Sequence, residues 1–146
     1  MDLNVRRAGA NGFEVVGETT FVGPTGASVT TQVIFDSGAT ESTLTGDTLR
    51  NLGLRDINTV VTARDWLNRP VFAIKFGPVT VRIKVDKYSR RWWCLWLCKT
   101  RSVEQRECQL KIAQGAFNLL GTDFLRVCGL KLEIDGRNMT AELIAP

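Results

Sequence analysis

One short arrangement of turn and helix signals occurs twice in the sequence, and this repeat constrains the fold more than any other feature. In each copy, an apolar stretch leads through a glycine-containing turn to a short helix candidate and a Gly-Leu pair. The two helix candidates end at Asn51–Leu54 and at Val127–Leu130. Glycine often ends a helix, because it adopts the left-handed conformation without strain. The repeat predicts one domain with weak internal two-fold symmetry.

Most of the remaining chain alternates apolar and polar residues in the manner of strands. Glu18–Val22 and Ser28–Phe35 flank the turn signal Gly23–Gly26, which predicts a hairpin. Residues 57–85 also alternate; they are broken at 64–68, which predicts a hairpin with a polar tip. A second break, at Gly77 and Pro78, predicts another turn.

Further strand candidates follow at 88–97 and 108–112, separated by the charged stretch 99–107. The segments 130–134 and 139–144 predict a terminal hairpin. We therefore expect a mostly β domain over residues 1–146, with residues 1–17 as a flexible N-terminal arm.

The helix candidates carry their own boundary signals. Thr45 is suited to cap the first helix, Asp47 lies in its first turn, and Gly53 closes it. The second begins at Thr122 or Asp123 and closes at the glycine of its Gly-Leu pair.

The absence of histidine restricts the chemistry of this 146-residue chain. It excludes nucleophilic schemes that depend on a histidine base and zinc sites that depend on imidazole. Catalysis would have to use carboxylates, thiols, hydroxyls or lysine.

The cysteines Cys94, Cys98, Cys108 and Cys128 have no zinc-finger spacing. We expect reduced, mostly buried thiols; redox control by the first three is a less favoured alternative. We expect neither a metal nor a cofactor.

The charge pattern disfavours nucleic-acid binding. The net charge is +4, but lysine and arginine are scattered along the chain. Only Lys87–Lys99 combines basic residues with aromatic ones, as binding to single-stranded nucleic acid would require. The longest apolar run, Trp92–Leu97, is too short to span a bilayer, so no membrane partner is expected.

Asp36-Ser37-Gly38 is the most informative motif. It places a carboxylate directly after the apolar residues Val33–Phe35, followed by a small hydroxyl residue and a glycine that permits a tight turn. The three residues alone also occur in ordinary turns. A second apolar stretch that ends in glycine, Phe117–Gly121, follows later in the chain.

Together, Phe35–Thr40 and Leu119–Leu125 resemble the active-site loop and the hydrophobic-hydrophobic-glycine element, with its helix, of retroviral-type aspartic proteases. The resemblance runs from about residue 18 to residue 144 and is greatest to the proteases of long-terminal-repeat retrotransposons. It implies a retropepsin-like closed β-barrel or sandwich (the acid protease fold) with one or two short helices and one lobe per chain.

The resemblance also assigns roles to residues. Asp36 would be the catalytic aspartate, Ser37 would form hydrogen bonds across a dimer, and Gly38 would contact the substrate backbone. Gly121 would pack against the active-site loop. The complete set of expected site residues is Asp36, Ser37, Gly38, Ala39, Thr40, Trp66, Leu67, Leu120 and Gly121.

Two departures from the family pattern affect these expectations. The cleft of such proteases is covered by a flap; the candidate tip here is 64–68, which is not rich in glycine and carries Trp66. Thr122 stands where some family members carry an arginine that pairs with a carboxylate. We expect hydroxyl contacts to replace that pair.

A single motif of this type in a chain too short for two lobes implies a homodimer. Aspartic proteases use two carboxylates that share one proton about a water molecule, so each subunit would supply one Asp36. Strands near 132–134 are candidates to pair across the two-fold axis. The expected activity is an endopeptidase that processes a retroelement polyprotein, in the cytoplasm or in virus-like particles and not in secreted form. The alternative is a host-adopted or catalytically silent domain for dimerisation or binding.

Other residues are assigned structural roles. Asp123 is expected at a helix start and not as a second catalytic acid. Asp65, Asp86 and Asp135 are expected to be solvated in turns. The tryptophans of 92–96 are expected in the core; the alternative is a surface patch that binds a partner or substrate. For Trp66 two alternatives remain: a flap residue that covers bound peptide, or an ordinary surface residue of a hairpin.

Overall fold

Strands form most of the computed structural model, which describes residues 3–9, 12–54, 58–64, 67–90 and 99–146. The strands are β1 (Leu3–Ala8), β2 (Gly12–Val22), β3 (Ser28–Phe35), β4 (Thr43–Leu44), β5 (Asn58–Arg64), β6 (Pro70–Arg90), β7 (Lys99–Gln114), β8 (Leu119–Leu120), β9 (Lys131–Asp135) and β10 (Thr140–Ala145). The helices are α1 (Gly46–Asn51) and α2 (Thr122–Cys128). The expectation of an all-β domain with short helices is confirmed.

The strands join into one sheet that closes on itself. Their order is β5-β6-β7-β4-β8-β3-β2-β1-β10-β9, and β6 also pairs with β2 and with β10. Because β6 pairs with both β7 and β2, the strands between them form a ring around an apolar core. The core includes Phe21, Leu44, Ile112 and Phe124. In this described sheet, β5 and β9 lie at the two ends of the order.

Both helices end in the way that the sequence repeat predicts. In α1 the Leu54 N–H donates to the carbonyl oxygen of Leu49 at 3.0 Å, and in α2 the Leu130 N–H donates to that of Leu125 at 2.8 Å. The glycine of each Gly-Leu pair has a positive φ, 70° in the first and 61° in the second. The internal symmetry therefore extends to the hydrogen bonds that close each helix.

The N-terminal segment differs from the expected flexible arm over residues 1–17. β1 pairs with β2 and with β10, and Leu3 is buried in the core. Short polar strands of this kind have weak sequence signals, because their order comes from neighbouring strands that are distant in sequence.

Two expected breaks are instead parts of long strands. Gly77 and Pro78 form an irregularity inside β6, where the register with β7 shifts between Phe76 and Val79, and not a turn. The charged stretch 99–107, expected between strands, belongs to β7. Its charges are tolerated because many of them pair along or across the ribbon of β6 and β7.

Asp86 also differs from its expected place in a solvated turn. It lies within β6, is fully buried, and accepts hydrogen bonds from Arg101 on β7. Asp135 is exposed, as expected, and ends β9 at a turn, where its Oδ1 accepts the N–H groups of Arg137 and Asn138. Asp65 and the tryptophans of 92–96 lie outside the described residues.

The cysteine expectation is wrong for one pair. Cys108 on β7 and Cys128 at the end of α2 form a disulfide, with their Cα atoms 5.5 Å apart. They are 20 residues apart in sequence, and only the packing of α2 against β7 brings them together. Cys94 and Cys98 lie outside the described residues.

Candidate functional site

Asp36 lies where β3 ends and the chain turns away from the sheet. Val33 and Phe35 alternate into the core, and the Asp36 N–H donates to the carbonyl oxygen of Leu120 at 3.1 Å. This bond continues the parallel pairing of β3 with β8. The backbone of Asp36 is therefore held by the sheet, while its side chain is exposed.

The loop after Asp36 folds back on the carboxylate. The Gly38 N–H donates to Asp36 Oδ1 at 2.8 Å, and the Ala39 N–H donates to the carbonyl oxygen of Asp36 at 3.2 Å. A Cβ atom on Gly38 would lie 3.1 Å from Asp36 Oδ1, so glycine permits this close approach. Ser37 and Thr40 are exposed on the same loop. The arrangement orients one carboxyl oxygen and leaves the group at the surface.

Gly121 packs against this loop, as the resemblance implied. A Cβ atom at Gly121 would lie 2.6 Å from the carbonyl oxygen of Ala39, which no side chain permits. The same oxygen accepts the Thr122 N–H at 2.8 Å and the Thr122 hydroxyl at 3.3 Å. Thr122 therefore makes a hydroxyl contact to the loop, and its acceptor is a backbone carbonyl oxygen.

Ser42 and Asp123 form a second connection between the loop and α2. Ser42 Oγ donates to Asp123 Oδ1 at 2.6 Å and accepts the Gly121 N–H at 3.0 Å. The Ser42 N–H donates to Asp123 Oδ2 at 3.0 Å. Asp123 also accepts the Phe124 N–H at 2.8 Å, in its expected role at the helix start. Both oxygens of Asp123 are thus engaged in holding the loop in place.

Sequence reasoning missed Ser42. It is fully buried, although it lies in a polar stretch between the motif and α1. Its only signal in the sequence is that a small hydroxyl residue precedes the two-residue strand β4, which is too weak to distinguish it from its neighbours.

The loop of residues 36–42 passes over β8. β3 precedes the loop and β4 follows it, and β8 lies between these two strands in the sheet. Because β8 lies between β3 and β4, the loop that connects these two strands must cross β8. The Asp36 carboxylate is therefore held at the C-terminal end of β8.

The second half of the chain repeats this geometry. Ala113 and Gly115 donate their N–H groups to the carbonyl oxygens of Ser42 and Leu44, at 3.2 and 2.9 Å. In the first half, the N–H groups of residues 34 and 36 donate to the carbonyl oxygens of residues 118 and 120, at 2.9 and 3.1 Å. Gly115 therefore occupies the position that Asp36 occupies in the first half.

This second position has no room for a carboxylate. A Cβ atom on Gly115 would lie 2.6 Å from the Cβ atom of Thr43. Within the described residues, this second position therefore offers no carboxylate to match Asp36.

The other expected site residues are not all at the surface. Leu120 is 1% exposed, and its side chain packs in the core, so it reaches Asp36 through its carbonyl oxygen and not through a substrate contact. Leu67 lies at the end of the β5–β6 hairpin and is 49% exposed. Trp66 lies outside the described residues.

A cavity of about 930 Å³ lies away from Asp36. Its lining includes Glu18, Arg82, Lys84 and Arg101. Arg82 is paired with Glu107 and Arg101 is paired with a buried carboxylate, so much of its charge is already compensated. Asp36 does not line this cavity, so the cavity is separate from the candidate site.

Comparisons of the chain with protein-family models, with curated proteins and with solved structures found no match. Within the described ranges, no group of three or more acidic or cysteine side chains is arranged to hold a metal ion. No helix in the described part of the chain is long and apolar enough to cross a membrane.

Proposed function

We propose that this chain is one subunit of a homodimeric aspartic endopeptidase of the retropepsin type. The observation that carries the proposal is the crossing of the Asp36 loop over β8, with the Gly38 N–H fixed on the carboxylate. This geometry holds an exposed carboxylate rigidly at the end of a strand, where a two-fold related copy can approach it.

In the proposed mechanism, two Asp36 carboxyl groups lie about 3 Å apart and share one proton, because two adjacent charges repel each other. The ionised carboxylate removes a proton from a water molecule, and the protonated partner polarises the scissile carbonyl. Gly38 would contact the substrate backbone in this mechanism.

The requirement for two chains is supported by Gly115, which stands at the pseudo-symmetric position without a side chain. β9 lies at one end of the described strand order and carries Ile134, which is 47% exposed. An edge strand with an exposed apolar residue is suited to pair with its own copy across a two-fold axis. The proposed substrate is a polypeptide, in particular the polyprotein of a retroelement, in the cytoplasm or in virus-like particles.

The test is peptide hydrolysis at mildly acidic pH by the wild type and by Asp36→Asn. We expect the variant to lose activity by a factor of about 100 to 10,000, because it lacks the general base. Asp47→Asn is the matched control, since Asp47 lies exposed on α1 away from the loop and should keep full activity. Hydrolysis that survives Asp36→Asn would remove Asp36 from catalysis.

Dilution provides a second measurement. Activity per chain should fall once the concentration drops below the dimer dissociation constant. Constant activity per chain over a wide dilution series contradicts the dimer. A stable dimer that cleaves no peptide in a library would instead favour a binding domain.

A further inference from the structure

The β5–β6 hairpin leaves the rest of the sheet at Lys75. β6 pairs with β7 at Lys75↔Ala113 and Phe76↔Ile112, the last pairs in this direction. Residues 70–74 of β6 pair with β5 alone in the described ladders. A two-stranded hairpin is marginally stable by itself, so contacts at its base determine where it points.

Lys75 forms an ion pair with Glu41 on the loop that follows Asp36. The side chain of Lys75 is 16% exposed and that of Glu41 is 41% exposed. Lys75, Ala113 and Thr43 form one row across β6, β7 and β4. Alanine in the middle of the row leaves room for the lysine chain to reach over β7.

Glu41 is the fixed partner in this pair. Its carbonyl carbon and oxygen lie 3.1 Å from the position of a Cβ atom on Gly121. The next residue, Ser42, is bonded to Asp123 at the start of α2. Because Gly121 and Asp123 already hold the loop at Glu41 and Ser42, the ion pair restrains the hairpin and not the loop.

We propose that the Glu41–Lys75 ion pair is a positioning link that holds the β5–β6 hairpin in place relative to the Asp36 loop. The proposal that this hairpin then covers bound substrate rests on the function proposed above. Without Glu41, the shielded ammonium group of Lys75 loses its compensating charge and turns toward water, which frees the base of the hairpin.

The test measures amide hydrogen exchange in Glu41→Gln, in Lys75→Met and in the double variant with both charges reversed, Glu41→Lys with Lys75→Glu. We expect amides of residues 58–64 and 71–74 to exchange about three to ten times faster in the single variants. The reversed pair should restore much of the protection. Exchange in β2 and β3 should not change.

Lys131→Met is the matched control, because it removes a lysine from an exposed pair with Glu133 on β9. It should leave the hairpin amides unchanged. The link is contradicted if both single variants exchange at the wild-type rate in the hairpin, or if the reversed pair exchanges as fast as they do. Equal acceleration throughout β2 and β3 also contradicts it, because that result indicates general loss of stability.

Peptide hydrolysis gives a separate result for the same variants. A misplaced hairpin weakens substrate binding, so KM should rise more than kcat falls in the single variants, and the reversed pair should recover KM. If Asp36→Asn remains active while the exchange results hold, the peptidase proposal fails and the link stands. If Asp36→Asn is inactive while hairpin exchange is unaffected, the link fails and the peptidase proposal stands.

Discussion

Ser42 helps to hold the candidate catalytic loop in position. Its hydroxyl group connects Asp123 with the Gly121 N–H, and its own N–H group is bound to the same carboxylate. Ser42 itself is fully buried, and Asp123 is half-buried. A buried polar group that loses its partner is costly, because water cannot replace the lost bond.

At this scale we predict that Ser42→Ala lowers the free energy of unfolding by about 1–3 kcal/mol, since it leaves the Gly121 N–H without its acceptor. Urea denaturation at neutral pH measures the change. The variant should also have a lower kcat, because the Asp36 loop loses a support. Ser28→Ala, at an exposed position on β3, is the control and should change stability by less than about 0.5 kcal/mol. Equal stability of the two variants would refute the role of Ser42.

At the scale of elements, one polar pair joins β6 to β7 and a second, half-buried pair joins β6 to the C-terminal strand β10. Asp86 accepts hydrogen bonds from Arg101 Nε and Nη2, both at 2.9 Å. The bond from Arg101 lowers the pKa of Asp86, and the same contact raises the pKa of Arg101. Tyr88 donates to Glu142 on β10 at 2.7 Å, which raises the pKa of Tyr88.

These shifts predict a pH-dependent contribution to stability. Because the pKa of Asp86 is lower in the folded chain, its contribution is complete above the unfolded pKa, near 4, and is lost as the pH falls through the folded value. Asp86→Asn should therefore lower the free energy of unfolding by about 1–3 kcal/mol at neutral pH. The difference from the wild type should shrink below about pH 4. Urea titrations between pH 3 and 7 measure it, and a difference that stays constant across this range contradicts the prediction.

The two ends of α2 are fastened to different elements. Its first turn is bound to the Asp36 loop through Asp123, and its last residue, Cys128, is joined to β7 through the disulfide with Cys108. A helix of seven residues is too short to be stable by its own backbone bonds. Its position against the loop therefore depends on these attachments and on the burial of Phe124.

At the scale of the whole molecule, the two halves of the chain share a pattern of strand pairing but differ in the side chain at the turn. The parallel pairs β3–β8 and β4–β7 lie in equivalent positions, yet one half places Asp36 at the turn and the other places Gly115. The two-carboxylate chemistry proposed above would therefore need a second chain to supply the other carboxylate.

Subunit mixing tests this requirement. When wild-type and Asp36→Asn chains are combined in equal amounts and exchange freely, about one quarter of the dimers should hold two intact aspartates. The activity per wild-type chain should then fall by about half, because only these dimers hydrolyse peptide. Wild type mixed with Asp47→Asn should keep full activity. An unchanged activity per wild-type chain would indicate that the subunits work independently.

Several features of this protein follow from its sequence alone, because they depend on neighbours in the chain. The helix ends at Gly53 and Gly129, the hairpin around Gly23–Gly26 and the turn at Asp36 need only local backbone preferences. Gly121 was placed against the loop through the resemblance, and the structure confirms that contact.

Other features were decided only by the tertiary structure, because their partners are far apart in sequence. Ser42 meets Asp123, Lys75 meets Glu41, and Cys108 meets Cys128 only after the sheet has closed. The same closure turns the expected N-terminal arm into a paired strand. It also buries Asp86, which was expected in a solvated turn. The local sequence determines which backbone conformation each segment prefers. These contacts depend instead on which segments the closed sheet brings together.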